Sequence, residues 1–196
     1  MQTSSQLGLT YKWWPFLRLI IVLSLALLLL TACQKSPSYE MVSAATLTAE
    51  DVIPAPTEEV ILTLSGDLAT KNEGDTLIFD MPTLEQLGLV KFTINDPWQE
   101  TQVEYTGVLM SDLLEVAGAS ESATEVTITA LDGYAPTVPI EEFRTHRVIL
   151  ATRSNGEYMT AEELGPTRII FQYDDHPNSD EAKIYSVWQV ASMEIK

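Results

Sequence analysis

Apolar and polar residues alternate in a series of short segments that runs from residue 60 to the C-terminus of this chain. Alternation with a period of two is typical of β-strands that bury one face. The turn pairs Asp132-Gly133 and Asn155-Gly156 separate some of these segments. The pattern predicts strands at 60–66, 76–80, 89–95, 101–107, 125–131, 147–153, 167–173 and 185–195.

Helical signals are fewer and shorter than the strand signals. Thr83 with Gln86, and Thr160 with Glu163, have the spacing of a capping box, in which a side chain closes the first turn of a helix. Ser111 stands where it could cap a third short helix. The sequence therefore predicts an α+β domain that is mostly β, with mixed sheets and a few short helices.

The first 32 residues have a different character. Lys12 and Arg18 precede the apolar run 19–30, which is shorter than the roughly 20 residues that a membrane-spanning helix needs. A basic start and a short apolar core are typical of a signal peptide. An uncleaved anchor helix over residues 14–32 is the alternative interpretation. Residues 33–59 contain three prolines among small and polar residues, which predicts a flexible tether before a domain at 60–196.

The only cysteine of the chain ends this first segment. Leu30-Thr31-Ala32-Cys33 resembles the lipobox of bacterial lipoproteins. The resemblance implies cleavage before Cys33, attachment of lipid to its thiol, and a protein held at the membrane of the cell envelope facing the periplasm. Gln34 follows the cysteine where an inner-membrane lipoprotein would have aspartate, so the outer membrane is slightly favoured.

The charge of the chain excludes one class of partner. Its 28 acidic and 11 basic residues give a net charge of −17. Such a surface repels phosphate backbones, so we expect no nucleic-acid partner.

Several segments of the domain resemble, in order, the sulfite-oxidase-type molybdopterin-binding domain superfamily. These are YTGVLMSDLLEVAGA at 105–119, EVTITALDGYAPTVPIEEF at 125–143, ILATRSNGEYMTAEELGPTRIIFQYDDHP at 149–177 and YSVWQVASMEI at 185–195. The last segment is similar to the closing strand of short, stand-alone members. The resemblance implies this fold and a molybdopterin-dependent oxidoreductase ancestry.

The same resemblance implies that a cysteine of the protein holds molybdenum, in a loop that corresponds here to residues 91–102. That stretch contains no cysteine, although a thiolate is the soft donor that suits such a metal. Thr93, Asn95 and Asp96 offer only oxygen or amide groups. We therefore expect no bound cofactor, with molybdopterin kept open by the family resemblance. His146 and His176 are 30 positions apart and have no zinc-motif spacing, so no metal site is predicted.

One group of residues suggests a binding site. Four arginines fall within 25 consecutive positions of an otherwise acidic domain, and arginine is suited to carboxylate and phosphate groups. The alternative for the arginines is a set of surface ion pairs. For the other candidates, Asp132, Tyr134 and Asn155, the alternative is a role in turn structure alone. The ligand-binding candidates are Arg144, Arg147, Arg153, Arg168, Asp132, Tyr134 and Asn155.

Two functions follow from these observations. The first is a non-catalytic module, anchored in the envelope, that binds a small anion or a periplasmic protein partner. The alternative is a molybdopterin-dependent oxidoreductase whose metal has no cysteine ligand from the protein. A third possibility is a purely structural envelope lipoprotein, which would also carry out no chemical reaction.

Overall fold

The computed structural model describes residues 39–196, which form one compact unit. The strands are β1 (Glu40–Ser43), β2 (Leu62–Gly66), β3 (Leu77–Phe79), β4 (Leu89–Asp96), β5 (Thr101–Leu109), β6 (Glu125–Ala130), β7 (Thr137–Pro139), β8 (Val148–Ser154), β9 (Glu157–Tyr158), β10 (Arg168–Phe171) and β11 (Val190–Ile195). The α-helices are α1 (Met81–Glu85), α2 (Met110–Val116), α3 (Glu141–Thr145) and α4 (Ser179–Tyr185), and Ala161–Glu163 form a 3-10 turn.

The strands form two sheets. The larger has the order β1-β4-β5-β8-β10, with β9 paired to β8, and its pairs are antiparallel. The smaller has the order β3-β2-β11-β6-β7 and is mixed, because β11 runs parallel to β2. Side chains from both sheets belong to one hydrophobic cluster. The prediction of a mostly β, α+β domain is confirmed.

The segment 40–58 departs from the predicted tether. β1 pairs with β4, the side chain of Ile53 is buried, and the backbone N–H groups of Thr57 and Glu58 donate to the carboxylate of Asp80. This part of the predicted tether is therefore packed on the domain. The four residues of β1 are all exposed, so an edge strand held by main-chain hydrogen bonds left no apolar alternation to detect.

The predicted signal peptide, Cys33 and residues 34–38 lie outside the described residues. Among residues 39–196, no helix has the length and apolar character needed to cross a membrane.

The helix ends differ from prediction at two of three places. Asp80, and not Thr83, caps α1, and the start of α2 has no side-chain cap, so Ser111 does not act as one. The capping box of Thr160 and Glu163 is present as predicted. The predicted strand 185–195 begins only at residue 190, because 179–185 form helix α4.

Candidate functional site

A cleft of about 510 Å³ opens between the β4–β5 turn and the segments on either side of the 3-10 turn. A hairpin, a strand end and a loop before β11 meet there, so residues far apart in sequence share one wall. Two of the predicted candidates, Asn155 and Arg168, lie in this cleft. Its lining residues are Trp98, Gln99, Ser154, Asn155, Glu157, Glu162, Glu163, Leu164, Arg168 and Trp188.

Arg168 is the buried charge of the cleft, with 3% of its surface exposed. One guanidinium nitrogen donates to the hydroxyl of Tyr105 over 3.0 Å, and another lies 3.8 Å from Oδ2 of Asp96. The guanidinium also lies over two aromatic rings, 5.3 Å from the centroid of Tyr105 and 5.1 Å from that of Trp188. These cation–π contacts and the nearby carboxylate compensate part of the cost of burying the charge.

Both oxygens of Asp96 are engaged by the protein. Oδ1 accepts from the backbone N–H groups of Trp98 and Gln99, each over 2.9 Å. Oδ2 accepts from the hydroxyl of Tyr105 over 2.7 Å. Burial first, and then this hydrogen bond to Asp96, raise the pKa of Tyr105, so the phenol stays a proton donor. Asp96 therefore shapes the β4–β5 turn and holds the network around Arg168.

Two buried donors of the cleft lack an acceptor. Within residues 39–196, neither Nε of Arg168 nor Nε1 of Trp188 has a hydrogen-bond partner, and both atoms are shielded from solvent. A buried N–H without a partner costs about 1–3 kcal/mol, so native folds rarely retain one without a ligand or water to satisfy it. The two donors belong to neighbouring groups, because the guanidinium lies over the indole.

The side chain of Trp98 contacts that of Trp188 and lines two clefts. The two indoles meet edge to face with centroids 5.1 Å apart, and Trp98 makes a similar contact with Tyr173 at 5.8 Å. Both tryptophans also line a second cleft of about 250 Å³, which contains the predicted candidates Asp132 and Tyr134.

These two candidates have structural partners. Asp132 accepts from the backbone N–H of Tyr134, which closes the predicted turn, and the hydroxyl of Tyr134 donates to the carbonyl of Ile184. Asn155 has a positive φ of 51°, as its turn requires, and its side-chain oxygen accepts from the backbone N–H of Glu104.

The four predicted arginines do not converge on the larger cleft, where Arg168 is the one basic residue among the ten that line it. Arg153 donates to Glu85 over 2.7 Å and to the hydroxyl of Tyr158 over 2.8 Å.

The remaining two arginines lie elsewhere. Arg144 pairs with Glu141, donates to the carbonyl of Ser120, and lines a separate open cleft. Arg147 is half-buried just before β8. Proximity in sequence failed as a guide because the arginines lie on different elements, with Arg144 in α3, Arg153 in β8 and Arg168 in β10.

The charges around the larger cleft are also mixed. The carboxylates of Glu157, Glu162 and Glu163 line it together with the guanidinium of Arg168. Glu163 already accepts from the N–H of Thr160 in the capping box. The cleft therefore combines a basic group in its wall with acidic groups, and differs from the wholly basic pocket that the arginine cluster suggested.

The donor set does not fit molybdenum ligation by a protein thiolate. Residues 91–102 form β4, its turn and the start of β5, at one wall of the cleft, and contain no cysteine. Thr93 and Asn95 are exposed, and the amide of Asn95 donates to Asp174. Asp96 could bind a metal only by giving up hydrogen bonds to the turn or to Tyr105. The unpartnered donors of Arg168 and Trp188 fit an acceptor atom of a ligand instead.

Sequence reasoning missed one cluster entirely. The structure brings together Glu142, His146 and His176, whose potential ligand atoms lie within 4.8 Å of one another. The prediction of no metal site rested on the lack of zinc-motif spacing between the two histidines, whose rings the structure nevertheless brings to 4.5 Å between centroids. The separation of Glu142 and His146 by four positions was the available signal, but their approach to His176 depends on tertiary structure.

Comparison with known proteins identifies the fold family. Residues 40–173 match the oxidoreductase molybdopterin-binding domain. The chain belongs to this family. The family match begins at β1, in agreement with the packing of residues 40–58 on the domain. The predicted resemblance to a molybdopterin-binding domain is thereby confirmed.

Two known proteins are similar to this chain. A curated relative from Bacillus subtilis (strain 168), described as the uncharacterized oxidoreductase YuiH, is 32% identical over 76 residues, which are 39% of this chain and 38% of that protein. The sulfane dehydrogenase SoxCD from Paracoccus pantotrophus matches in structure with a TM-score of 0.53 and 20% identity, over 68% of this chain and 37% of the SoxCD chain. The chain thus spans less than half the length of each, and SoxCD supports the fold alone.

Proposed function

We propose that this chain is a non-catalytic, ligand-binding member of the molybdopterin-binding family. The observation that carries the proposal is the buried Arg168, which has an unpartnered N–H beside a second unpartnered N–H from Trp188. Beside the cleft, the carboxylate of Asp96 is engaged by the protein, and the described residues 39–196 contain no cysteine. The cleft therefore favours hydrogen bonding to a ligand over metal-centred chemistry.

The charges of the cleft narrow the class of ligand. An acceptor oxygen, such as a carboxylate or a ring carbonyl, would satisfy Arg168 and Trp188. Glu157 and Glu162 disfavour a multiply charged anion and favour a ligand that also carries N–H donors. A small zwitterion or an amino- and oxo-substituted heterocycle meets both demands. The two donor atoms are covered, so we infer that the exposed side chain of Trp98, which contacts Trp188, moves aside when such a ligand enters.

A second function keeps the chemistry of the family. The name of the similar Bacillus subtilis protein includes the word oxidoreductase, and this chain belongs to the oxidoreductase molybdopterin-binding domain family. On this proposal the pterin would supply the sulfur ligands of molybdenum and the protein would supply none. Arg168 and Trp188 would then hold the cofactor through its acceptor atoms.

One experiment distinguishes the two. The full-length chain, produced in a host that makes molybdopterin and purified in mild detergent, is assayed for molybdenum by elemental analysis and for pterin by fluorescence after oxidation. We expect both to be far below one equivalent. Near-stoichiometric molybdenum with pterin, lost in Arg168→Gln but kept in Arg153→Gln, would establish the oxidoreductase instead.

We further propose that the protein is anchored through lipid on Cys33 and faces the periplasm. The short apolar run and the lipobox-like sequence support the anchor, and Gln34 favours the outer membrane. A small ligand or a periplasmic protein would then be the partner of the domain.

A further inference from the structure

We propose that Glu142, His146 and His176 form a binding site for a divalent transition-metal ion of the Zn²⁺ class. The three side chains come from helix α3 and from the loop between β10 and α4. Their potential ligand atoms lie within 4.8 Å of one another. Two imidazoles and one carboxylate are a ligand set that such ions accept in proteins.

The distances suit a metal ion. Zinc bonds of about 2.0–2.2 Å in tetrahedral geometry place neighbouring ligand atoms roughly 3.4 Å apart. Oε2 of Glu142 lies 2.8 Å from Nε2 of His176 and 3.8 Å from Nε2 of His146. The two observed distances bracket the required one. All three ligand atoms lie within 4.8 Å of one another, so modest adjustments of the three side chains would let one ion bind them together.

The local structure holds these groups in place. His146 is the residue that ends helix α3, its backbone N–H donates to the carbonyl of Glu142, and Nε2 of His146 lies 3.8 Å from Oε2 of Glu142. The His176 side chain is 3% exposed, its ring meets the ring of Phe171 edge to face, and Nδ1 lies 2.8 Å from the carbonyl oxygen of Asn178.

In a metal-binding histidine, the ring nitrogen that does not bind the metal commonly donates a hydrogen bond to a carbonyl or carboxylate oxygen. This hydrogen bond fixes the orientation of the ring. Nδ1 of His176 also accepts from the backbone N–H of Asn178 over 3.1 Å in the tautomer whose Nε2 donates to Glu142. In the tautomer that donates from Nδ1, Nε2 turns a lone pair towards the carboxylate of Glu142. A cation between them then replaces the repulsion of two acceptors by two metal–ligand bonds.

The donors and their surroundings select the kind of ion. Imidazole favours Zn²⁺, Ni²⁺ and Cu²⁺ over Mg²⁺ and Ca²⁺, which prefer oxygen ligands. The side chain of His146 is 32% exposed, which leaves an entry path and a coordination position for water. Glu181 accepts a hydrogen bond from the hydroxyl of Tyr185 over 2.8 Å and adds a further negative charge. Burial first, and then Glu181 and Glu142, raise the pKa of that phenol. The chain as a whole, at −17, attracts cations.

The chain offers a clean test, because its two histidines both belong to the site. The full-length protein with Cys33→Ser, which removes the only thiol, is purified in detergent, stripped with EDTA and titrated with Co²⁺ and then Zn²⁺. We expect one equivalent of Co²⁺ with visible d–d absorption and no thiolate charge-transfer band, displaced by Zn²⁺ at micromolar concentration. Millimolar Mg²⁺ or Ca²⁺ should not compete.

Matched variants of neighbouring residues provide the control. Glu142→Gln and His176→Ala should each weaken Zn²⁺ affinity at least about 10-fold. Glu141→Gln, which removes the adjacent carboxylate that pairs with Arg144, should leave the affinity unchanged. Circular dichroism without metal establishes that each variant is folded.

Histidine NMR gives a readout that does not depend on the variants. In protein labelled at the histidine rings, two imidazole signals are expected, and both should move on addition of one equivalent of Zn²⁺. Signals that do not move, or equal affinity in Glu142→Gln and Glu141→Gln, would overturn the proposal and leave a hydrogen-bonded glutamate–histidine pair.

Discussion

The hydroxyl of Tyr105 donates to Oδ2 of Asp96 over 2.7 Å and receives a hydrogen bond from Arg168 over 3.0 Å. The phenol of Tyr105 thus links the buried carboxylate of Asp96 to the buried guanidinium of Arg168. The closest direct approach of the guanidinium to the carboxylate is 3.8 Å. The link lies at the wall of the cleft, beside the turn where the family resemblance implies a metal-binding cysteine.

Asp96→Asn should destabilise the protein strongly. The amide keeps the shape of the side chain but removes the charge, which leaves Arg168 buried without a counter-ion. Breaking a buried pair in this way costs about 3 kcal/mol or more. Urea denaturation followed by fluorescence would measure the free energy of unfolding. Asp174→Asn is the control, because it changes an exposed carboxylate that accepts from Asn95. It should change the free energy of unfolding by less than about 1 kcal/mol. Equal effects of the two substitutions would contradict the role of Asp96.

Asp80 should make stability depend on acid pH. Burial by itself raises the pKa of this carboxyl, but hydrogen bonds from Thr83, Thr57 and Glu58 outweigh it and lower the pKa to about 2. A carboxyl whose folded pKa lies below its unfolded value of 3.8 contributes stability above about pH 4, which is lost as the pH falls towards 2.

In Asp80→Asn this contribution, about 2 kcal/mol, should be missing at neutral pH, and the difference from the parent should shrink between pH 4 and pH 2. Urea denaturation of Asp80→Asn and of the parent at pH 7 and at pH 2.5 measures the difference in free energy of unfolding at each pH. Asp75→Asn, at an exposed carboxyl, serves as the control. A difference that is the same at both pH values would contradict the assignment.

Gly107→Ala should disrupt the larger sheet. Gly107 pairs with Ala151 between β5 and β8, and a Cβ added there would overlap the carbonyl oxygen of Leu150. Because backbone must move to relieve the contact, we expect a loss of about 3 kcal/mol or more. Gly74→Ala has open space around it and a φ of 57°, so it should cost only about 1 kcal/mol. Thermal unfolding of the two variants would compare them directly, and similar melting temperatures would be inconsistent with this packing.

Ligand binding should depend on Arg168 and Trp188. A panel of small carboxylates, amino acids and pterins, monitored by thermal shift and by quenching of tryptophan fluorescence, should include compounds that bind the cleft. Arg168→Gln and Trp188→Phe each remove one unpartnered donor, so both should weaken such a compound at least about 10-fold, the equivalent of one lost charge-assisted hydrogen bond. Arg153→Gln, whose partner is Glu85 outside the cleft, should retain the affinity. Equal losses in all three variants would indicate binding elsewhere.

Cys33→Ser should abolish lipid attachment. Without the thiol, the chain should remain at its precursor mass and take up no labelled palmitate, whereas the parent should be labelled. Palmitate that persists in Cys33→Ser would mean that another residue anchors the protein.

Much of the fold could be predicted from the sequence, because the signals are local. Strands such as β4 and β6 alternate between buried and more exposed positions, and the capping box of Thr160 and Glu163 lies within four residues. The ordered motifs from residue 105 onwards indicated the family for the same reason. β1 escaped prediction because its exposed side chains leave no apolar alternation, and it joins β4 through main-chain pairing and an ion pair of Glu40 with Lys91.

The candidate sites could likewise be predicted only in part. The sequence by itself determined that the domain has no thiolate for molybdenum, that it is strongly acidic, and that its strands form an α+β fold, since these depend on residue identity and short-range order. Only the tertiary structure decided that Arg168 is buried beside Trp188 while Arg153 pairs with Glu85, and that His146 meets His176. Side-chain proximity across 20 or more residues depends on how sheets and loops pack, and no local pattern encodes it.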